Sequence, residues 1–490
     1  MCNRLSYNNE VGYSKREVAR DGKSMRKNRR EFIRFGVSAV SASAVSGMRL
    51  LSAQPQLQGW VTSRDRKFEP MSALAWRSAG PSFSTGIQLD PALRLQPILG
   101  FGAALTDASC YLLHRMDARA RAALLAEFFS SSGLRLSVAR VCMGASDYST
   151  TAYSFDESPE PDPGLQRFSI GHDREYILPT LRDAAKANPD LFLFGTPWSP
   201  PGWMKANGSM LGGSMRKKYF APYADYFVRF LRDYAAEGVK IAAVTVQNEV
   251  DTDQDGRMPA SLWGQEYEID FVKNYLGPAL ERASMQTKIW ILDHNYNLWG
   301  RAIDELGDPL VNKYVDGVAW HGYMGTPEAM SQVHEAFPTK NMLWTEGGPT
   351  IGGEYATDWA KWSETMIGVL RNWGECVVGW NFVLDEAGKP NIGPFNCGGL
   401  VTVDSKTGEL TRSGQYWAFR HFSKAIERNA RVIASYGAVI GVHHVACENP
   451  DGSHVLVVSN KGAKQSVPLM AGNHVLDLPL EEDSVTTLQW

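Results

Sequence analysis

From about residue 97 to 381, short apolar runs rich in β-branched and aromatic residues alternate with helix-length amphipathic segments, the pattern of repeated βα units. Eight strands are predicted: Ile98–Ala103, Arg135–Met143, Leu191–Thr196, Ile241–Gln247, Lys288–Leu292, Gly317–His321, Met342–Thr345 and Cys376–Asn381. Helical segments separate them, among them Asp117–Phe129, Tyr219–Glu237 and Asp358–Trp373. Eight alternations over roughly 285 residues predict an α/β fold of the (β/α)8 TIM-barrel kind, for which about 250 residues is typical, with a doubly wound sheet as the alternative.

Beyond residue 430 the helical period disappears. Val432–Ser435, Gly441–Cys447, His454–Ser459, Gln465–Leu469 and Ser484–Leu488 read as strands, separated by turn signals such as Asn449-Pro450-Asp451-Gly452. They predict a small antiparallel β-sandwich. Residues 55–96 are also β-rich (Gly59–Thr62, Ala73–Trp76, Phe83–Leu89) and too short to fold alone, so they are expected to complete that sandwich from the other end of the chain. The expected division is a leader over 1–54, N-terminal sandwich strands over 55–96, the barrel over 97–415 and the C-terminal sandwich over 416–490.

The leader has its own pattern. A basic cluster (Arg26, Lys27, Arg29, Arg30, Arg34) runs into a weakly apolar stretch, Phe35 to Val45, and ends in Leu51-Ser52-Ala53, the three-part layout of a secretory signal. Asn28-Arg29-Arg30-Glu31-Phe32-Ile33-Arg34 resembles the twin-arginine pattern, which predicts export to the periplasm or beyond. The stretch is too short and Ser-rich for a spanning helix, which needs about 20 apolar residues, so no integral membrane segment is expected in the mature chain.

Composition narrows the partners. With 44% hydrophobic and 21% charged residues, neither wholesale disorder nor a polytopic membrane protein fits. A net charge of -3 offers no electrostatic basis for binding nucleic acid. The six cysteines form no CxxC pair, so neither a metal site nor a cofactor is expected; with Cys2 lost with the leader five remain, at least one of them free, and the spacing decides no disulfide pairing.

Catalytic groups in a barrel of this kind sit at the C-terminal ends of strands. Glu249 ends the fourth predicted strand, and Glu346 ends the seventh, followed by Gly347-Gly348, which are expected to leave room for a ligand. A paired acid and base at such positions suits glycosidic-bond hydrolysis. Asp251-Thr252-Asp253-Gln254-Asp255-Gly256 opens like a calcium loop, but Leu262 stands where the bidentate glutamate belongs, so a plain acidic loop is expected. His443-His444 lies within a strand, where neighbouring side chains face opposite ways and cannot chelate one ion.

Several further motifs accompany the two glutamates: Gly100-Phe101-Gly102-Ala103-Ala104-Leu105-Thr106-Asp107, Arg140-Val141-Cys142-Met143-Gly144-Ala145-Ser146-Asp147, Thr196-Pro197-Trp198-Ser199-Pro200-Pro201-Gly202-Trp203, Ala319-Trp320-His321-Gly322-Tyr323 and Val378-Gly379-Trp380-Asn381. With these, from about residue 58 to Trp490, the chain resembles glycoside hydrolase family 30, in its glucosylceramidase branch. The resemblance implies a barrel fused to a β-sandwich, with Glu249 as general acid/base and Glu346 as nucleophile of a retaining mechanism. It also implies that Asn248 holds the sugar 2-OH, that Asp107 and Trp198 grip the far hydroxyls, and that Trp380 walls the sugar subsite. Arg140 would keep Glu346 ionised, with Tyr323 and His321 close by. The ionised Glu346 is expected to raise the pKa of Glu249, as like charges in one site do. The implied substrate is a β-glucoside, either a glycolipid or an oligosaccharide. A β-1,6-glucanase or β-xylosidase is the nearest alternative, and a non-catalytic carbohydrate-binding protein the more distant one. Two departures stand out: Val250 follows Glu249 where relatives often carry Pro, and the Gly393–Gly399 loop differs from that branch.

Overall fold

The computed structural model describes residues 57–79 and 86–490. The segment expected to be a leader, Cys2 and the first part of Phe83–Leu89 lie outside the described residues. Eight parallel strands close into a barrel: β1 (Gly100–Leu105), β2 (Val138–Cys142), β3 (Phe192–Thr196), β4 (Ala243–Thr245), β5 (Lys288–Asn295), β6 (Val315–His321), β7 (Asn341–Glu346) and β8 (Gly374–Gly379). Each overlaps a predicted strand, and helices such as Ala118–Phe129, Phe220–Ala236 and Trp359–Arg371 cover the outside.

The barrel interior follows from the two-residue period of a strand. Val138, Phe194, Ala243, Trp290, Ala319, Leu343, Cys376 and Val378 form one apolar cluster. Two residues further along β2, β3, β4, β6 and β7 come Arg140, Thr196, Thr245, His321 and Thr345, all buried. They make a polar layer above the apolar one. On β5 the period breaks: Leu292 and Asp293 adopt φ of 70° and 44°, and the pairing with β6 slips between Ala319 and Trp320. The extra residue turns Asp293, rather than Leu292, into the polar layer. Left-handed backbone at a non-glycine residue costs about 1–3 kcal/mol, and persists where surrounding contacts over-determine it. Here Asp293 is over-determined by Arg140, Thr245, His321 and Thr345, which all contact its carboxylate.

The remaining strands form one ten-stranded sheet drawn from both ends of the chain. Gln58–Ser63 pairs antiparallel with Ser484–Gln489, and Ile87–Pro97 pairs antiparallel with Arg431–Tyr436. The sheet curls around its own apolar cluster, in which Ile87 and Leu89 meet Ile433, Leu456, Leu469 and Leu478. Two expectations are corrected. The sheet is not wholly antiparallel, because Ile87–Pro97 runs parallel to Gln465–Ala471. That strand arrives from the other end of the chain, and no hairpin dictates its direction. Ala73–Trp76 is not a strand; Trp76 is instead buried in the sandwich core, and the short strand Arg77–Ser78 follows it.

The division expected after residue 415 falls inside a helix, Gly414–Ser423, capped by Ser413. Gln415 on its first turn donates to the Gly347 carbonyl (2.9 Å) at the end of β7. His421 on its last turn lies between Thr62 (2.8 Å) and Thr487 (2.9 Å) of the sandwich. The helix therefore completes the barrel and fastens both ends of the chain to it. Before it, a small sheet of Val383–Asp385, Val401–Val403 and Leu410–Arg412 was not predicted, since three-residue strands carry no readable period.

Candidate active site

The polar layer floors a cavity of about 450 Å³ whose lining includes Glu249, Glu346, Asn248, Asp147, Trp198, Trp380 and Tyr323. Its hub is Arg140, fully buried. The guanidinium donates to Glu346, to Asn248 Oδ1 (2.8 Å), to Asp293 (2.7 Å) and, through Nε, to Thr196 (3.2 Å). It also lies 4.6 Å from the centroid of the Trp198 ring. Such a buried cation is tolerated only when paired and hydrogen-bonded, and every face of this one is occupied. Trp198 and Trp380 stack with centroids 5.1 Å apart, forming one aromatic wall.

Glu346 receives a second donor, the Tyr323 hydroxyl at 2.9 Å. Tyr323 is 47% exposed at the cavity mouth, with its hydroxyl turned inward onto Glu346. Burial there and the Glu346 charge push its ionisation well up. The hydroxyl therefore stays a donor. Glu249 stands four residues past β4 with φ of 52°. Gln254 donates to its Oε2 at 2.7 Å, while His321 Nδ1 and His294 Nδ1 lie 3.5 and 3.8 Å from its Oε1. The opposite nitrogen of His321 contacts Asp293 at 3.1 Å and Glu346 at 3.8 Å, so one imidazole lies between the two glutamates.

The charge state differs from the sequence expectation. Burial alone would raise the Glu249 carboxyl, but His321, His294 and Gln254 outweigh it and hold it below the ordinary carboxylate value. Burial would lower His321, but Glu346, Asp293 and Glu249 lift it to about 9. The influence of Glu346 thus reaches the histidine between the two carboxyls. Asp293 is held well down: burial opposes ionisation, and Arg140, His321 and Thr345 overcome it.

Asp107 is not in the cavity. It is buried at the start of the helix Asp107–Arg115, where its carboxylate takes the Thr150 N–H (2.7 Å), the Tyr176 hydroxyl (2.7 Å) and His172 Nε2 (2.6 Å). The carboxylate that faces the cavity is Asp147, whose Oδ1 is buried without a hydrogen-bond partner. Burial, then the charges of Glu346 and Glu249, push its pKa well above the usual range. Gly347 and Gly348 do not open space for a ligand either. A Cβ on Gly347 would stand 2.3 Å from the Trp344 ring, and one on Gly348 would stand 3.0 Å from Trp380. Close packing, not ligand access, requires them.

Asp293, Asp147, His294 and Gln254 escaped the sequence reading. The acidic loop set aside as a calcium mimic supplies Gln254 to Glu249 and Asp251 to His294 Nε2, at 2.5 Å. The Gly393–Gly399 loop also reaches the site. Ile392 N donates to Asp147 O, Cys397 N donates to the Tyr148 hydroxyl, and Phe395 and Cys397 line the cavity. His443 and His444 face opposite ways, one towards Glu364 and one buried against Ser435. Among the described residues the five cysteines are all free thiols, and no helix is long and apolar enough to cross a membrane.

Two glutamates on either side of one imidazole, under a tryptophan wall at the mouth of a closed βα barrel, place this chain among the barrel enzymes that hydrolyse glycosidic bonds. The family model "Glycosyl hydrolase family 30 TIM-barrel domain" matches residues 98–426, and the family 30 beta sandwich domain matches 429–488. An endo-1,6-beta-D-glucanase of Neurospora crassa is 31% identical over 84% of this chain and 90% of its own length. A putative glucosylceramidase of Caenorhabditis elegans is 30% identical over 88% of each. A solved endo-beta1,6-glucanase superposes with a TM-score of 0.81 at 29% identity, covering 89% of this chain and 99% of its own. The chain belongs to glycoside hydrolase family 30.

Proposed function

We propose that this enzyme hydrolyses β-linked glucosides by double displacement with net retention, and that a β-1,6-linked glucan is its substrate. The observation that carries the mechanism is the sharing of His321: Glu249 and Glu346 contact opposite nitrogens of one ring, so a sugar above it meets both carboxylates. Glu346, oriented by Arg140 and Tyr323, attacks the anomeric carbon as Glu249 delivers a proton to the leaving oxygen. Glu249 then deprotonates the water that releases the glycosyl ester. Closure of substrate over Glu249 withdraws solvent and favours its protonated form, which the first step needs. Asn248 presents its NH2 group, since Arg140 occupies its oxygen, and donates to the 2-OH. Asp147 takes the far hydroxyls in place of Asp107, against the Trp198–Trp380 wall.

The choice of linkage rests on the glucanases among the relatives and on the mouth of the cavity. Tyr323, Met324 and Phe395 are 47%, 59% and 43% exposed there, flat or apolar surfaces on which a second sugar can lie. The same rim suits a lipid aglycone, so a glucosylceramide-type glycolipid is the second reading. Parallel assays on a β-1,6-glucan, glucosylceramide and the p-nitrophenyl glucoside and xyloside test both. The expected order puts the β-1,6-glucan first by kcat/KM. A tenfold advantage for glucosylceramide, about 1.4 kcal/mol of transition-state discrimination, reverses it. An equal advantage for the xyloside discards both readings. Proton NMR of the first-formed sugar is expected to show the β-anomer, and an initial α-anomer overturns the double displacement.

A further inference from the structure

Two buried nitrogens in the site have no partner. His294 and His321 are 6% and 0% exposed, and the Nδ1 atom of each lacks a hydrogen bond. Both point at the same oxygen, Glu249 Oε1, at 3.8 and 3.5 Å. The three atoms lie within 4.8 Å of one another. The opposite nitrogens are anchored on carboxylates, His294 Nε2 on Asp251 and His321 Nε2 on Asp293. An Nε2–H held by a carboxylate directs the Nδ1 lone pair outward, the arrangement that orients histidines on a metal ion.

We infer that Glu249, His294 and His321 form a three-ligand site for a borderline divalent cation of the zinc class, and that the cation inhibits by occupying the acid/base. Bonds of about 2.0–2.2 Å in a tetrahedron place ligand atoms roughly 3.3–3.6 Å apart, so the two Glu249 edges need to close by at most a few tenths of an ångström, and the edge between the two histidine nitrogens, which lies within 4.8 Å, by a rotation of the less enclosed His294 ring. Two imidazoles and one carboxylate suit zinc or copper, whereas calcium and magnesium prefer all-oxygen shells. Charge favours the ion as well, because Glu249, Glu346 and Asp293 surround the position, against the Arg140 guanidinium and the proton on His321 that the ion displaces. Binding releases the proton that His321 carries and leaves the fourth coordination position facing the cavity, where substrate would otherwise sit.

Zinc chloride titrated into the purified full chain against a chromophoric chelator is expected to show one ion per chain. Cobalt(II) in its place is expected to give the intense visible bands of a tetrahedral site. His294→Asn removes a ligand. Asp251→Asn leaves the ligands in place and replaces the charged anchor of the His294 ring with a neutral amide, and Asp251 is 44% exposed at its side chain, so this variant tests the site without a core substitution. Each is expected to weaken zinc about 10- to 100-fold. Cys397→Ser is expected to change nothing, which separates this site from the thiol also lining the cavity. Binding well below one ion per chain, affinity indifferent to both His294→Asn and Asp251→Asn, or affinity lost with Cys397→Ser would each overturn the assignment. These readouts are independent of turnover, so they stand or fall apart from the proposed substrate.

Discussion

Asp107 and Asp147 end consecutive sequence motifs and are both buried, yet the structure gives them opposite work, and exchanging each for Asn separates the two. In Asp107→Asn the amide oxygen can still accept from Thr150 N, but the NH2 group meets the Tyr176 hydroxyl and His172. Two hydrogen bonds to a charged group, at about 1.5–3 kcal/mol each, make a loss of about 3–6 kcal/mol in stability. Asp147 has no partner on Oδ1 and a pKa pushed up by burial and by the two catalytic carboxylates. Asp147→Asn therefore relieves an unfavourable charge, and folding stability is expected to hold or rise. The variant loses a charge-assisted contact to a substrate hydroxyl, which at about 1.5–3 kcal/mol lowers kcat/KM roughly 10- to 150-fold. Thermal or urea unfolding of both variants, alongside kcat/KM on an aryl β-glucoside, reads the two effects separately. An Asp107→Asn protein of parental stability but depressed kcat/KM, together with an Asp147→Asn protein of parental kinetics, would refute the exchange of roles.

Glu346→Ala is expected to abolish turnover, whereas Glu249→Ala should still react with activated aryl glucosides and be rescued by azide as the β-glucosyl azide; no rescue removes Glu249 from the acid/base role. Glu375, in β8, is raised to about 7, by burial first and by Asp316 second. A raised carboxyl pKa means stability is lost as pH climbs from the unfolded value near 4.5 through about 7, at most about 3 kcal/mol and nearer 1–2 after allowing for partial exposure. Glu375→Gln should therefore melt higher than the parent at pH 8 but not at pH 4, and equal melting curves at pH 8 would contradict it. Arg29→Lys with Arg30→Lys is expected to retain the enzyme in the cytoplasm, and undiminished extracytoplasmic activity would discard the twin-arginine reading.

Legibility in the sequence followed strand periodicity. Glu249 and Glu346 could be read because they end apolar runs, whereas Arg140 and His321 entered only through the family resemblance, although both lie at the regular strand parity the structure shows. Asp293 could not, because two left-handed residues shift that parity within β5. Counting from Trp290 by twos points Leu292 inward and hides the carboxylate that braces Arg140. The confusion of Asp107 with Asp147 had a local remedy. Thr106 caps the helix that Asp107 begins, accepting from Ser109 N, and an acid in the first turn of a helix has a structural reason to be there. Asp147 follows β2 in a loop with no such cap. The Gly393–Gly399 loop has no period at all, and its place at the cavity is set by the Tyr148 hydroxyl and Asp147 backbone, which sequence spacing does not bring near it.

The pairing of Gln58–Ser63 with Ser484–Gln489 has a consequence for how the protein is made. The strand that leaves the ribosome early waits for one separated from it by 420 residues. At about 5–20 residues per second, that is roughly 20–80 s of synthesis during which Gln58–Ser63 is paired on one side only, with Arg66–Pro70. His421, too, cannot lie between Thr62 and Thr487 until both have emerged. The barrel can assemble during translation, but the sheet closes only afterwards. Gln58–Ser63 is thus among the last strands to settle, and anything that binds the nascent chain before synthesis ends meets it with one edge still open.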